Sequence, residues 1–225
     1  MFRDQAFLVS VLLTRPLFWS ILGKLGGLLM RRIRLATLAD AKTLLDIYRP
    51  YVEETAVTFE YTVPSLTEFE RRLSDIMVFY PCLVVEEEGG ILGYAYASRF
   101  HARAAYAWSA EVTIYLAQEA RGRGLGSALY HRLESYLKGM GILNCNACIA
   151  SPAHATPYLT NSSQVFHEKL GYRLVGRFHQ SGYKFNQWFD MVWMEKLLGE
   201  HDVPPRPVMS FRDLLCRSNG LNDTL

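Results

Sequence analysis

Cysteine is scarce in this chain. The four residues Cys82, Cys145, Cys148 and Cys216 are too few and too scattered for a disulfide scaffold. Cys145 and Cys148 have the spacing of a zinc knuckle or redox pair, but no second pair exists. In the strand they are expected to occupy, residues three apart face opposite sides. The six histidines are not gathered at metal-ligand spacing, so no metal is expected. A dominant charge is also missing. Lys and Arg number 24 against 22 Asp and Glu, a net +2, so composition gives no case for nucleic-acid binding. There is no GxxxxGK followed by Ser or Thr, and no GxGxxG after a first strand with an acid about 20 residues on, which sets aside the commonest nucleotide loops. Neither end of the chain shows repeats.

Nor is there a long uncharged apolar run. Residues 1–30 come nearest, but Arg15-Pro16 and Lys24 interrupt them, and a spanning helix needs about 20 largely uncharged apolar residues. The start is only weakly basic and no small-residue cleavage site is clear, so a secretory signal is not expected. Two readings stay open for this segment: a dispensable extension upstream of Met30, or an amphipathic piece that associates with a surface or membrane. The positive charge concentrates here, +4 over residues 1–32 against −2 for the rest. Residues 199–225, with Pro204-Pro205-Arg206-Pro207, read as a loosely attached tail. Residues 31–198 are left as one domain, in a chain half apolar and able to bury a sizeable core.

Periodicity within it is mixed. Strands are expected at 33–37, 83–87, 91–98, 111–116, 143–150, 172–178 and 189–195. Helices are expected from Asp40 to about Val52, from Leu66 to about Met77, over 127–140 and over 165–170. Thr37 with Asp40, and Ser65 with Glu68, form capping-box signatures.

The most informative stretch is Arg121-Gly122-Arg123-Gly124-Leu125-Gly126, set between the strand Glu111–Leu116 and a helix with Leu125, Leu129, Leu133 and Leu137 on one face. A strand feeding a glycine-rich turn and then a helix builds an anion site. Glycines let the backbone come close, and the free N–H groups of the first helical turn point at a phosphate. Arg121 and Arg123 add positive charge. A diphosphate-bearing cofactor is expected.

The pattern Arg-x-x-Gly-x-Gly resembles the acetyl-CoA loop of the GNAT N-acetyltransferases. Four further segments resemble the phosphinothricin-type branch: Ile33-Arg34-Leu35-Ala36 leading to Asp40-Ala41; Ala105-Tyr106-Ala107-Trp108 leading to Glu111; Phe166 to Tyr172; and Gly182-Tyr183-Lys184-Phe185 leading to Trp188-Phe189-Asp190. The resemblance spans roughly 33–196. It implies an α+β fold with a central mixed, mostly antiparallel twisted sheet and helices on both faces. It also implies a cytoplasmic homodimer that uses acetyl-CoA as acetyl donor and no metal.

By the same resemblance, Glu111 takes the place of the general base, and His167, four residues before Gly171, that of the leaving-group acid or a substrate contact. The other reading of Glu111 is a solvated strand residue, and of His167 a hydrogen-bonded core histidine. Donor contacts are expected from Thr113, Ile114, Tyr115 and Leu116, on a strand that splays from its neighbour, and from Arg121, Gly122, Arg123, Gly124, Leu125, Gly126 and Ser127. Asn161 is a further donor contact, although it stands six residues before His167 where the family asparagine stands seven. Phe59, His101, Arg103 and Tyr106 match substrate positions, with His101 in place of the family's frequent lysine. Arg103 can grip a carboxylate or phosphinate bidentately and Tyr106 can donate a hydrogen bond, although loops carry such residues anyway. The reaction implied is acetylation of the α-amine of a small amino acid such as phosphinothricin, methionine sulfone or methionine sulfoximine. A polyamine, an aminoglycoside or a protein N-terminus is the alternative acceptor. A non-catalytic acyl-CoA-binding module is the rival of another class.

Overall fold

A computed structural model describes residues 31–88 and 90–220. Readings of residues 1–30, of Gly89 in the first hairpin turn and of 221–225 lie outside the described residues. In chain order the elements are β1 (Arg32–Leu35), α1 (Ala41–Glu53), α2 (Leu66–Met77), β2 (Cys82–Glu87), β3 (Gly90–Arg99), β4 (Ser109–Leu116), α3 (Leu125–Met140), β5 (Asn144–Ser151), α4 (Ser162–Lys169), β6 (Arg173–Lys184), β7 (Gln187–Leu197) and α5 (Phe211–Gly220). Both capping signatures form. Asp40 bonds back to the Thr37 backbone at 2.8 Å, and Ser65 accepts from the Glu68 N–H at 3.2 Å. The last two strands run longer than periodicity suggests, because β-bulges within β6 interrupt its alternation without ending the pairing.

The seven strands make one sheet in the order β1-β2-β3-β4-β5-β7-β6, antiparallel except for β4 beside β5. Alternation sorts side chains onto two faces. On one, Leu83, Val85, Ala95, Ala97 and Val112 meet Leu125, Leu129, Leu133 and Leu137 of α3. These four leucines are fully buried, each contributing about 1.5–3 kcal/mol relative to exposure. On the other face, Cys82, Val84 and Tyr94 pack under Leu44, Tyr48 and Tyr51 of α1 and Phe69 and Leu73 of α2. The CxxC pair divides across the sheet as its spacing requires: Cys145 is buried and Cys148 exposed.

The segment read as a loose tail departs from that reading. The Met209 N–H bonds to the Met140 carbonyl at 3.0 Å and the Phe211 N–H to the Phe79 carbonyl at 2.9 Å. Phe211 is buried against the α3 side of the core, stacking edge-on with Tyr136 at 4.9 Å, and Leu214 lies against Gly139. The apolar spacing of α5 is too short to stand out beside the proline cluster, so packing rather than pattern makes this helix. Ending the chain at Gly199 is expected to cost roughly 3 kcal/mol of burial. That lowers Tm by roughly 6–12 °C for a chain of this size, read by calorimetry.

Candidate active site

Among the described strands, the one parallel pair creates the site. β4 and β5 are in register at Ser109 with Asn144, Ala110 with Cys145 and Glu111 with Asn146, and no pair follows. Beyond Glu111, β5 continues along β7 while β4 continues along β3 up to Leu116. The sheet therefore opens into a wedge, with Glu111 at its apex.

The ladder decides which backbone groups the wedge exposes. The Ala117 N–H bonds to the Leu92 carbonyl, so the odd-numbered residues of β4 face β3. The backbone groups of Val112 and Ile114 then face the opening. Leu116 also faces it, but the Tyr51 hydroxyl occupies both its groups, donating to the carbonyl at 2.6 Å and accepting from the N–H at 3.1 Å. Of the four strand residues expected to meet a donor, Ile114 alone offers free backbone, since the backbones of Thr113 and Tyr115 belong to the β3 ladder. The Tyr115 ring is core, with Tyr48 at 4.8 Å and Tyr51 at 4.9 Å.

At the mouth of the wedge lies a groove of about 360 Å³ lined by Tyr51, Val57, Ile114, Arg121, Thr160 and Phe166, among others. Gly122 and Gly124 have φ of +72° and +75°, and a Cβ at either would stand in open space. These are the backbone states that the sequence demands glycine for. The first-turn N–H groups at Leu125, Gly126 and Ser127 head α3, where a helix offers unpaired donors and a partial positive charge. Gly126 also serves packing. A Cβ there would lie 3.1 Å from the Phe166 ring, so its bareness lets α4 approach. Leu125 likewise sends its side chain into the core.

The two arginines part company. Arg121 lines the groove, with its guanidinium 5.0 Å from the centre of the Tyr51 ring. Arg123 turns away and pairs with buried Glu87 at the end of β2. Glu87 also takes Arg31 at 3.3 Å, and Arg31 donates to the Arg123 carbonyl at 3.1 Å. Arg123 thus braces the loop rather than facing the groove. Asn161 is exposed and makes no capping bond at the head of α4. Its neighbours Thr160 and Ser162 line the groove.

Deeper in the wedge is a pocket of about 60 Å³ lined by Val112, Thr113, Tyr130, Cys148 and His167, among others. His167 is 3% exposed. Its Nδ1 lies 2.7 Å from the Ser163 carbonyl and its Nε2 3.1 Å from the Tyr130 hydroxyl. A carbonyl only accepts, so Nδ1 carries the proton, and in the neutral ring Nε2 accepts from Tyr130. Burial lowers the histidine pKa and favours that neutral form. Tyr130 went unnoticed in the sequence because it reads as one more apolar position of α3. Its hydroxyl becomes visible only when α4 brings the imidazole to it. Half-buried Glu111 has its pKa raised by desolvation.

The substrate candidates fall into separate clusters. Phe59 packs on Phe189, with ring centres 6.3 Å apart. His101 and Tyr106 meet edge to face at 4.9 Å in the exposed β3–β4 connection, anchored through Phe100 to Trp193 at 5.4 Å, and Arg103 is exposed beside them. Trp193 sits opposite Cys148 in the β5–β7 ladder, which puts this loop cluster at the pocket side of the wedge. Among the described residues no cluster of His, Cys, Asp or Glu could hold a metal ion, and no helix is long and apolar enough to cross a membrane.

A wedge between parallel strands, ending at a glycine-rich helix start, forms a cleft with an anion-binding end. The profile of the acetyltransferase (GNAT) domain matches residues 33–193, and the chain belongs to that family. It is 35% identical over 176 residues to a phosphinothricin N-acetyltransferase of Streptomyces viridochromogenes, covering 78% of this chain and 92% of that protein. To an L-methionine sulfoximine/L-methionine sulfone acetyltransferase of Salmonella typhimurium it is 31% identical, covering 76% of this chain and 97% of that protein. A crystal structure of a GNAT phosphinothricin acetyltransferase from Sinorhizobium meliloti, in complex with acetyl-CoA, superposes with a TM-score of 0.71 at 36% identity, covering 79% of this chain and 93% of that one. The chain therefore carries an acetyltransferase domain, and the Sinorhizobium meliloti relative binds acetyl-CoA. The bare glycine turn, the unpaired helix start and the Ile114 backbone fit that donor.

Proposed function

We propose that the protein moves the acetyl group of acetyl-CoA to the α-amine of a small amino acid bearing a polar tetrahedral side group, such as phosphinothricin, methionine sulfone or methionine sulfoximine. The observation that carries this reading is the position of Glu111, a desolvated carboxylate where β4 and β5 part. An amine attacks only when neutral, and a carboxylate with a raised pKa is a better base than an exposed one. Glu111 removes the first proton from the incoming ammonium, directly or through one water. The nitrogen sheds a second proton as the amide forms, and the departing sulfur needs one. Tyr130 and His167 balance this. The Tyr130 oxygen takes the proton from nitrogen while passing its own to Nε2 of His167, and the reverse transfer delivers it to sulfur. Arg121, the glycine turn and the head of α3 hold the diphosphate, and Ile114 pairs with the pantetheine arm.

Residues 31–198 carry this activity. Arg103 and Tyr106 bind the anionic end of the acceptor beside His101, and Phe59 lines the acceptor pocket. Leu174, Val175 and Phe178, exposed on edge strand β6, support a homodimer. A cytoplasmic location accords with the free cysteines.

The acceptor class is tested by following CoA thiol release with phosphinothricin, methionine sulfone, spermidine, kanamycin and a Ser/Ala-starting peptide. Turnover confined to the first two is expected. Turnover with another amine would leave the chemistry in place and overturn the acceptor. Acetyl-CoA binding with no turnover across such amines would favour a non-catalytic module.

A further inference from the structure

Lys184 is a buried cation without a carboxylate partner among its hydrogen bonds. It is 3% exposed, near the tip of the β6–β7 hairpin. Its Nζ donates to three carbonyls, those of Val52, Thr55 and Thr58, each at 2.8 Å. Three donors meet three acceptors, so the ammonium is saturated. It also sits at the C-terminal end of α1, where unpaired carbonyls and the helix dipole favour a positive charge. The segment it holds forms one wall of the site. Tyr51 blocks the Leu116 backbone, Thr55 and Val57 line the donor groove, Val57 also lines the deeper pocket, and Phe59 follows.

The rest of the hairpin tip grips the same segment. Gly182 lies under the Phe59 ring, where a Cβ would come within 2.3 Å. The Tyr61 hydroxyl donates to the Tyr183 carbonyl at 2.5 Å. Phe185 stacks at 4.2 Å on Tyr158, whose carbonyl in turn accepts from the Ala56 N–H at 3.0 Å. Three stretches distant in sequence are thereby knitted into one roof over the wedge. Apolar contacts alone would let such a roof slide. Three directional bonds to carbonyls spaced along it fix it.

We infer that Lys184 is a positioning residue for acetyl-CoA, locking the 52–59 segment against the groove so that the donor meets a preformed wall. This rests on the reading of that groove as the donor site. It does not depend on which amine is acetylated.

The test is calorimetric titration of acetyl-CoA into the wild type, Lys184→Met and Lys184→Arg, with Tm measured alongside. Met keeps the stem and loses every donor, and acetyl-CoA affinity is expected to fall tenfold or more at unchanged stoichiometry. Arg keeps a donor fork and is expected to stay within about threefold of the wild type. A residue that only supported the fold would lower Tm and the fraction of competent sites, with affinity in the remainder unchanged. That outcome, or Lys184→Met binding like the wild type, overturns the inference. If Lys184→Met does not fold, Lys184→Gln, whose shorter amide offers two donors where the ammonium offers three, takes its place: a fall in acetyl-CoA affinity at unchanged stoichiometry supports the inference, and wild-type affinity overturns it. Absence of acetyl-CoA binding by the wild type would instead refute the donor site itself.

Discussion

Replacing Glu111 by Gln is expected to lower kcat by about 10²–10⁴, the range that a positioned general base supplies, while acetyl-CoA affinity stays close to wild type. The amide keeps the shape and loses the basicity, so proton removal fails and donor binding does not. The pH dependence carries the same signature. Wild-type kcat/KM should rise with pH as Glu111 ionises. Because desolvation raises its pKa, that limb lies at higher pH than an exposed carboxylate would put it. In Glu111→Gln the limb should vanish. Stability moves the other way. A carboxyl whose folded pKa is raised disfavours folding once ionised, so its cost is complete above the folded pKa and absent below the unfolded one. At neutral pH the variant should therefore match or exceed the wild type in Tm. A variant both inactive and much less stable would point to a structural glutamate. Stopped assays across pH, paired with thermal melts, separate the two.

Tyr130→Phe and His167→Ala are each expected to lower kcat by about 10², and the double variant by little more than either alone. Two groups passing one proton fail as a unit, so their effects do not multiply. Independent roles would give about 10⁴. Stability supplies a control. Tyr130→Phe removes the donor to a buried imidazole nitrogen and should cost about 1–3 kcal/mol. His167→Ala relieves that nitrogen of its need but opens a cavity beside Phe166 and Tyr172, the rings packed against it. A double-mutant cycle in kcat, with Tm recorded for all four proteins, decides whether the hydroxyl and the imidazole act together.

Much of this fold was legible because local signals and burial agree. The leucine repeat of α3, the two capping boxes and the apolar strands 83–87 and 111–116 each satisfy one period, and packing reinforces it. Helix α5 was not legible, because its ten residues gain their order from docking on α3 and not from their own pattern. The site divides similarly. Gly122 and Gly124 announce themselves, since few other residues adopt their backbone state. The roles of Arg123, Gly126 and Lys184 were hidden because each depends on a partner far along the chain: Glu87, Phe166 and the 52–58 carbonyls. Spacing reveals what neighbours in sequence do together. It is silent on which distant carboxylate claims an arginine.

The proposed reaction carries acetyl directly from the CoA sulfur to an amino-acid nitrogen across the β4–β5 wedge. It is tested with acetyl-CoA labelled in its acetyl group, incubated with the protein and methionine sulfone and followed by mass spectrometry. The label should appear on the α-nitrogen of the amino acid in step with free CoA, with none on the protein. Label retained on Cys148, released as acetate, or left on CoA would contradict it.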